Sequence, residues 1–122
     1  MATIISDKDG NTVDASSVTK PSDRHFRNAW TLNGNVISED ITEAKKIFQE
    51  KIREVRKPLL EEQDTLFMKA LEDSDSSAQS TIKTKKKALR DAPAAKAISD
   101  ADTIAKLKAA WDSTNLGTSP YA

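Results

Sequence analysis

Few residues in this sequence have the types and spacing that chemistry needs. His25 is the only histidine among 122 residues. Acid–base or metal work would require partners at set separations, and the nearby Asp23 and Arg24 form neither a triad nor a ligand spacing. A surface or packing role is the plainer reading. Asp73, Asp75 and Ser77 put oxygen ligands at alternate positions, as a calcium loop does where it begins. Ala78 stands where that loop needs glycine, and Thr84 where it needs a bidentate glutamate. A capping turn accounts for these acids more simply. There is no cysteine, which removes disulfides, thiolate metal sites and cysteine nucleophiles. Three widely spaced glycines cannot build a phosphate loop. Glu61 and Glu62 are adjacent on a helix and need be nothing but surface. No catalytic residue, metal ligand or cofactor is assigned, and the sequence does not read as an enzyme.

The remaining candidates bind rather than react. The basic run KTKKKALR, residues 83–90, could contact nucleic acid or an acidic partner. On a helix its cations are expected to spread around the axis, Asp100 and Asp102 follow to balance them, and no aromatic is interleaved to stack on bases. The 19 basic and 19 acidic side chains of the whole chain cancel, which argues against nucleic-acid binding. Trp30 and Trp111 are expected to anchor packing, and an exposed set around Phe26–Trp30 would mark a docking patch.

The elements that must hold these residues follow from hydrophobic period. Ile41, Ala44, Phe48, Ile52, Val55, Leu59, Leu66 and Ala70 recur mostly at steps of three, four or seven, one face of a helix over Ile41–Asp73. Ile47, Leu60, Phe67 and Leu71 widen that face. Glu50 with Arg53 and Glu54 with Lys57 stand at ion-pair spacing. Pro58 lacks the N–H for the Glu54 carbonyl, so either one kinked helix or two helices are expected. Ser38 or Asp40 caps its start.

Upstream, residues 2–14 read as a short hairpin: Thr3, Ile4 and Ile5, a turn at Asp9-Gly10-Asn11, then Thr12-Val13. Residues 15–23 read as a linker or extended edge. Phe26, Trp30 and Leu32 lead to Asn33-Gly34, expected at the centre of a type I′ turn, with Val36 and Ile37 returning. Downstream, a polar turn at 73–80 joins a second helix over roughly 77–91, ended by Ala92-Pro93. A third helix is expected over 99–111, capped by Ser99 or Asp100, and the tail from Asp112 as extended or frayed. The whole is α+β, mainly α: an N-terminal β unit (1–40) and a helical unit (41–122), with the two long helices antiparallel, together one compact domain. No apolar run approaches a membrane span, and no signal-peptide core opens the chain, so a soluble, cytoplasmically made protein is expected.

Two stretches carry a resemblance. PSDRHFRNAW (21–30), followed by an acidic turn and EAKKIFQEKIREVRKPLL, looks like small proteins encoded near tail-fibre genes of tailed bacteriophages. IREVRKPLLEEQD through KKKALRDAP resembles the phage tail (tail-fibre) assembly chaperone family. That family shows an arginine-rich helix start, a Leu-Leu pair, an aspartate, and an Ala-Leu-Arg-Asp-x-Pro ending. Here these are Arg53 and Arg56, Leu59-Leu60, Asp64, and Ala88-Leu89-Arg90-Asp91-Ala92-Pro93. The family's Trp after the aspartate is Thr65 here, and its aromatic before Ala-Leu-Arg-Asp is replaced by lysines. The resemblance implies a phage protein of the tail or fibre region that binds another phage protein and assists fibre or tail assembly. It would work in the host cytoplasm, with a possible oligomer. The alternative is a small structural adaptor retained in the virion tail, neck or capsid. The candidate partner-binding residues are Phe26, Arg27, Trp30, Arg53, Arg56, Leu59, Leu60, Asp64, Leu89, Arg90 and Asp91.

Overall fold

The computed structural model describes residues 4–121. Residues 2 and 3 of the first expected hairpin, Thr3 of its strand included, lie outside them. Strands β1 (Ile4–Ser6) and β2 (Thr12–Asp14) pair antiparallel with Ile5 opposite Val13. Strands β3 (Trp30–Asn33) and β4 (Val36–Glu39) form a second hairpin with Leu32 opposite Ile37. Its register makes Gly34 and Asn35 the central turn residues, so Asn33 closes the strand instead of sitting in the turn. Only Gly34 takes positive φ (65°), the pattern of a type II′ turn and not the expected I′. The expected linker is an extended edge at Thr19, whose backbone exchanges hydrogen bonds with Asn35 and Ile37. Asp7 ties the hairpins together. Its carboxylate accepts from the backbone N–H groups of Asp9 and Asn11 in its own turn and of Leu32 in β3.

Helix α1 (Ile41–Glu72) is a single 32-residue helix that carries Pro58 inside it. Asp40, not Ser38, caps it, accepting from the N–H groups of Thr42 and Glu43. Its ion pairs are Lys46–Glu43 and Lys51–Glu54; the expected Glu50–Arg53 and Glu54–Lys57 pairs are not formed. A turn in which Ser74 takes positive φ leads to α2 (Ser76–Asp91), capped by Asp75. A 3-10 turn at Ala92–Ala94 ends it, where proline stops the ladder.

The third expected helix is divided. Helix α3 (Lys96–Asp100) and helix α4 (Ile104–Ala109) are separated by extended Ala101 and by Thr103, which caps α4 through Lys106 N–H. Ser99 and Asp100 therefore end one helix and do not start another. The break lets Ile98, Ala101 and Leu107 all point into the core. The tail is not frayed. Helix α5 (Ser113–Leu116) buries Leu116, and Tyr121 stacks on Phe26 and Phe48 at 5.1 and 5.3 Å between ring centres, with Trp111 edge-on at 5.9 Å. The fold is α+β and mainly α, and Phe26 and Ala29 of the N-terminal segment sit in one core with α1, α4 and α5.

Candidate protein-binding surface

The aromatic docking patch is absent, because Phe26 and Trp30 are fully buried. Phe26 fills the aromatic cluster. Trp30 lies under the guanidinium groups of Arg24 and Arg27, 5.5 and 4.8 Å from its ring centre. Arg27 also donates to Ser6 Oγ, so it holds the two hairpins together. Leu89 is likewise buried in the core. Arg56 is spent on structure: its Nη1 donates to the carbonyls of Arg90 (2.8 Å) and Leu89 (3.4 Å), satisfying acceptors at the end of α2. Leu59 packs half-buried against the core. These six expected partner contacts are therefore internal.

Helix α1 serves two neighbourhoods. Ala44, Phe48 and Ile52 belong to the core, which reaches up α1 only as far as Leu60. Beyond Leu60 its contacts are with α2: Lys86 Nζ meets the Asp64 carboxylate at 2.5 Å, Lys83 and Lys86 lie beside the Phe67 ring, and Gln79 donates to the Ala70 carbonyl. One helix cannot cover an apolar stripe this wide. Leu66, Met68 and Leu71 are left 42, 60 and 47 % exposed.

Spacing then assigns a face. Arg53, Leu60, Asp64, Phe67 and Leu71 recur at seven, four, three and four residues, a second stripe of α1 beside the one that enters the core. On α2, Lys83, Lys86, Lys87 and Arg90 stand at i, i+3, i+4 and i+7, so they share one side and are not spread around the axis as expected. The contacts of Lys86 with Asp64 and Phe67 put that side beside the second α1 stripe. Lys85 alone turns the opposite way, donating to the Asn115 carbonyl and side chain at the end of α5. Asp91 pairs with Lys87 at 2.5 Å. The expected residues that gather on this face are therefore Arg53, Leu60, Asp64, Arg90 and Asp91. Sequence reasoning missed Met68, and it counted Leu66 and Leu71 as covered. The signal was in the width: Leu59, Leu60, Leu66, Phe67, Ala70 and Leu71 spread over more of the α1 surface than one antiparallel helix covers.

A polar cluster sits elsewhere, at the base. Lys108 Nζ meets the Asp23 carboxylate at 2.6 Å, and that bond holds Asp23 below the usual carboxylate range. Glu39 is pushed up, by burial first and by the charge of Asp23 second. Trp30 Nε1 and Glu39 Oε2 are buried without a hydrogen-bond partner. Asp75, the best of the candidate calcium ligands, spends its carboxylate on capping α2. Among the described residues no group of His, Asp or Glu is placed to hold a metal ion, and no helix is long and apolar enough to cross a membrane.

No protein-family model, curated protein or solved structure matches this chain.

Proposed function

We propose that this protein is a tailed-bacteriophage assembly factor that binds another protein, a tail or tail-fibre subunit, through the α1–α2 hairpin. The observation that carries the reading is the exposure of Leu66, Met68 and Leu71 on the half of the hairpin that stands beyond the core. Met68 and Leu71 are neighbours at i, i+3 and Leu66 points to another side, and exposed apolar side chains on a projection suit a partner's surface. The resemblance of residues 21–93 supplies the setting, tail-fibre assembly in the host cytoplasm. Of its motif positions, Arg53, Asp64, Arg90 and Asp91 are exposed on this face with part-buried Leu60 beside them, while Arg56, Leu59 and Leu89 hold the hairpin in shape.

The test is a phage lacking this protein, with particles and lysate compared by quantitative mass spectrometry. The reading expects the protein in lysate, absence from finished particles, and fibreless or non-infectious tails when it is removed. Many copies per purified particle would make it the alternative, a structural adaptor of the virion. Normal infectious tails assembled without it would overturn both.

A further inference from the structure

We propose that the hairpin face formed by Arg53, Leu60, Phe67, Leu71 and the cations of α2 receives an acidic amphipathic helix of the partner protein, laid along the α1–α2 seam. The proposal rests on the reading that this protein acts by binding another, and it names the chemistry of what is bound. Three observations converge on it.

The first is shape. Leu60, Phe67 and Leu71 run along the helix axis over 11 residues, about 16 Å, which is the length of three turns of a docked helix. Two antiparallel helices leave a shallow seam between their ridges, and a third helix completes the packing. The second is charge. Five cations (Arg53, Lys83, Lys86, Lys87 and Arg90) face this side with two carboxylates (Asp64 and Asp91), although the whole chain is neutral. The excess lies beside the apolar strip, where a partner's acidic flank would meet it while its apolar face meets Leu60 and Leu71. The third is availability. Lys83, Lys87, Arg90, Arg53 and Leu71 are exposed, and Leu60 and Phe67 are part-buried with the movable Lys83 and Lys86 side chains beside the Phe67 ring. Neither Lys83 nor Arg90 nor Arg53 forms an ion pair within the described residues. Nucleic acid fits this face less well, since the apolar centre and the two carboxylates oppose a phosphate backbone.

The experiment uses the full chain and three helical probe peptides with the same leucine stripe, flanked by glutamate, by lysine or by serine. Binding is followed by fluorescence anisotropy at low and high salt. The glutamate peptide is expected to bind about tenfold or more tighter than the others, with the preference shrinking as salt rises. The double variant Lys83→Glu/Arg90→Glu should reverse the order and favour the lysine peptide. Leu71→Ser should weaken all three. These positions are on the surface, and unchanged far-ultraviolet circular dichroism confirms that each variant is folded. Equal affinity for the three peptides overturns the proposal, as does an order that K83E/R90E leaves unchanged. It is also overturned if the same variant abolishes tighter binding to duplex DNA or to phosphatidylserine vesicles. Concentration-dependent sedimentation of the chain alone, lost in L71S, would put a second copy on this face and overturn it too. Particle assembly is scored separately: peptide failure alongside defective tails removes only this proposal, whereas normal tails without the protein remove the assembly reading.

Discussion

Asp7 and Glu39 are two carboxylates that the fold treats in opposite ways. Burial would raise the pKa of Asp7, but the N–H of Leu32, the side-chain amide of Asn11 and the N–H groups of Asn11 and Asp9 outweigh it and hold the group down to about 2. Because its folded pKa is depressed, the stability it supplies is complete above its unfolded value, about 4, and is lost as pH falls through about 2. Wild type should therefore exceed D7N in thermal stability at neutral pH, with the gap closing in acid. Glu39 is raised, by burial and then by Asp23, so its ionisation opposes folding. E39Q should melt at a higher temperature than wild type at pH 7. That gain should vanish below the ordinary glutamate pKa, about 4, where the wild-type group is also neutral. A melting series of both variants between pH 2 and 8 checks the two signs together. Phe48 is fully buried between Trp111 and Tyr121: F48A should cost about 3–5 kcal/mol in denaturant unfolding.

Among elements, α1 shows how periodicity succeeds and where it stops. The reach of the helical stripe from Ile41 to the Asp73 turn was legible, whereas its continuity through Pro58 was not, because the same periodicity allows one helix or two. Pro58 costs one ladder bond to Glu54, so P58A should stabilise the chain by about 2 kcal/mol, measured by urea unfolding. The α2 boundaries were equally legible, since Asp75 and Pro93 are local signals. The division of 99–111 was not. Ser-Asp-Ala-Asp-Thr offers several caps in a row, and only the need to bury Ile98 and Ala101 together with Leu107 decides that Thr103 is the one used. The tail was illegible for a similar reason: Leu116 and Tyr121 have no period, and their burial depends on a hole between α1, α2 and the Phe26 segment that no local window reveals. Of the candidate surface, the arginines, Leu60 and Asp64 were visible as motif residues. The packing role of Trp30 and the apolar face that carries Leu89 were legible too, whereas the full burial of Phe26 depends on packing at long range.

For the whole molecule, stability should fall along the hairpin. The base is held by α4, α5 and the Phe26 segment, whereas the far half has each helix only to cover the other. Amides near residues 62–82 should therefore exchange with solvent well before those of 44–56, by hydrogen-exchange mass spectrometry. A bound partner should slow the exchange of the first group and leave the second unchanged.

Arg56, which clasps the final carbonyls of α2, then acquires a mechanical meaning. Sixteen residues of α1 extend past it, about 24 Å of rod. A tilt of about 10° at that clasp swings Glu72 sideways by about 4 Å, nearly one helical turn. The position of the hairpin tip is thus the feature of the molecule most sensitive to the geometry of that one clasp.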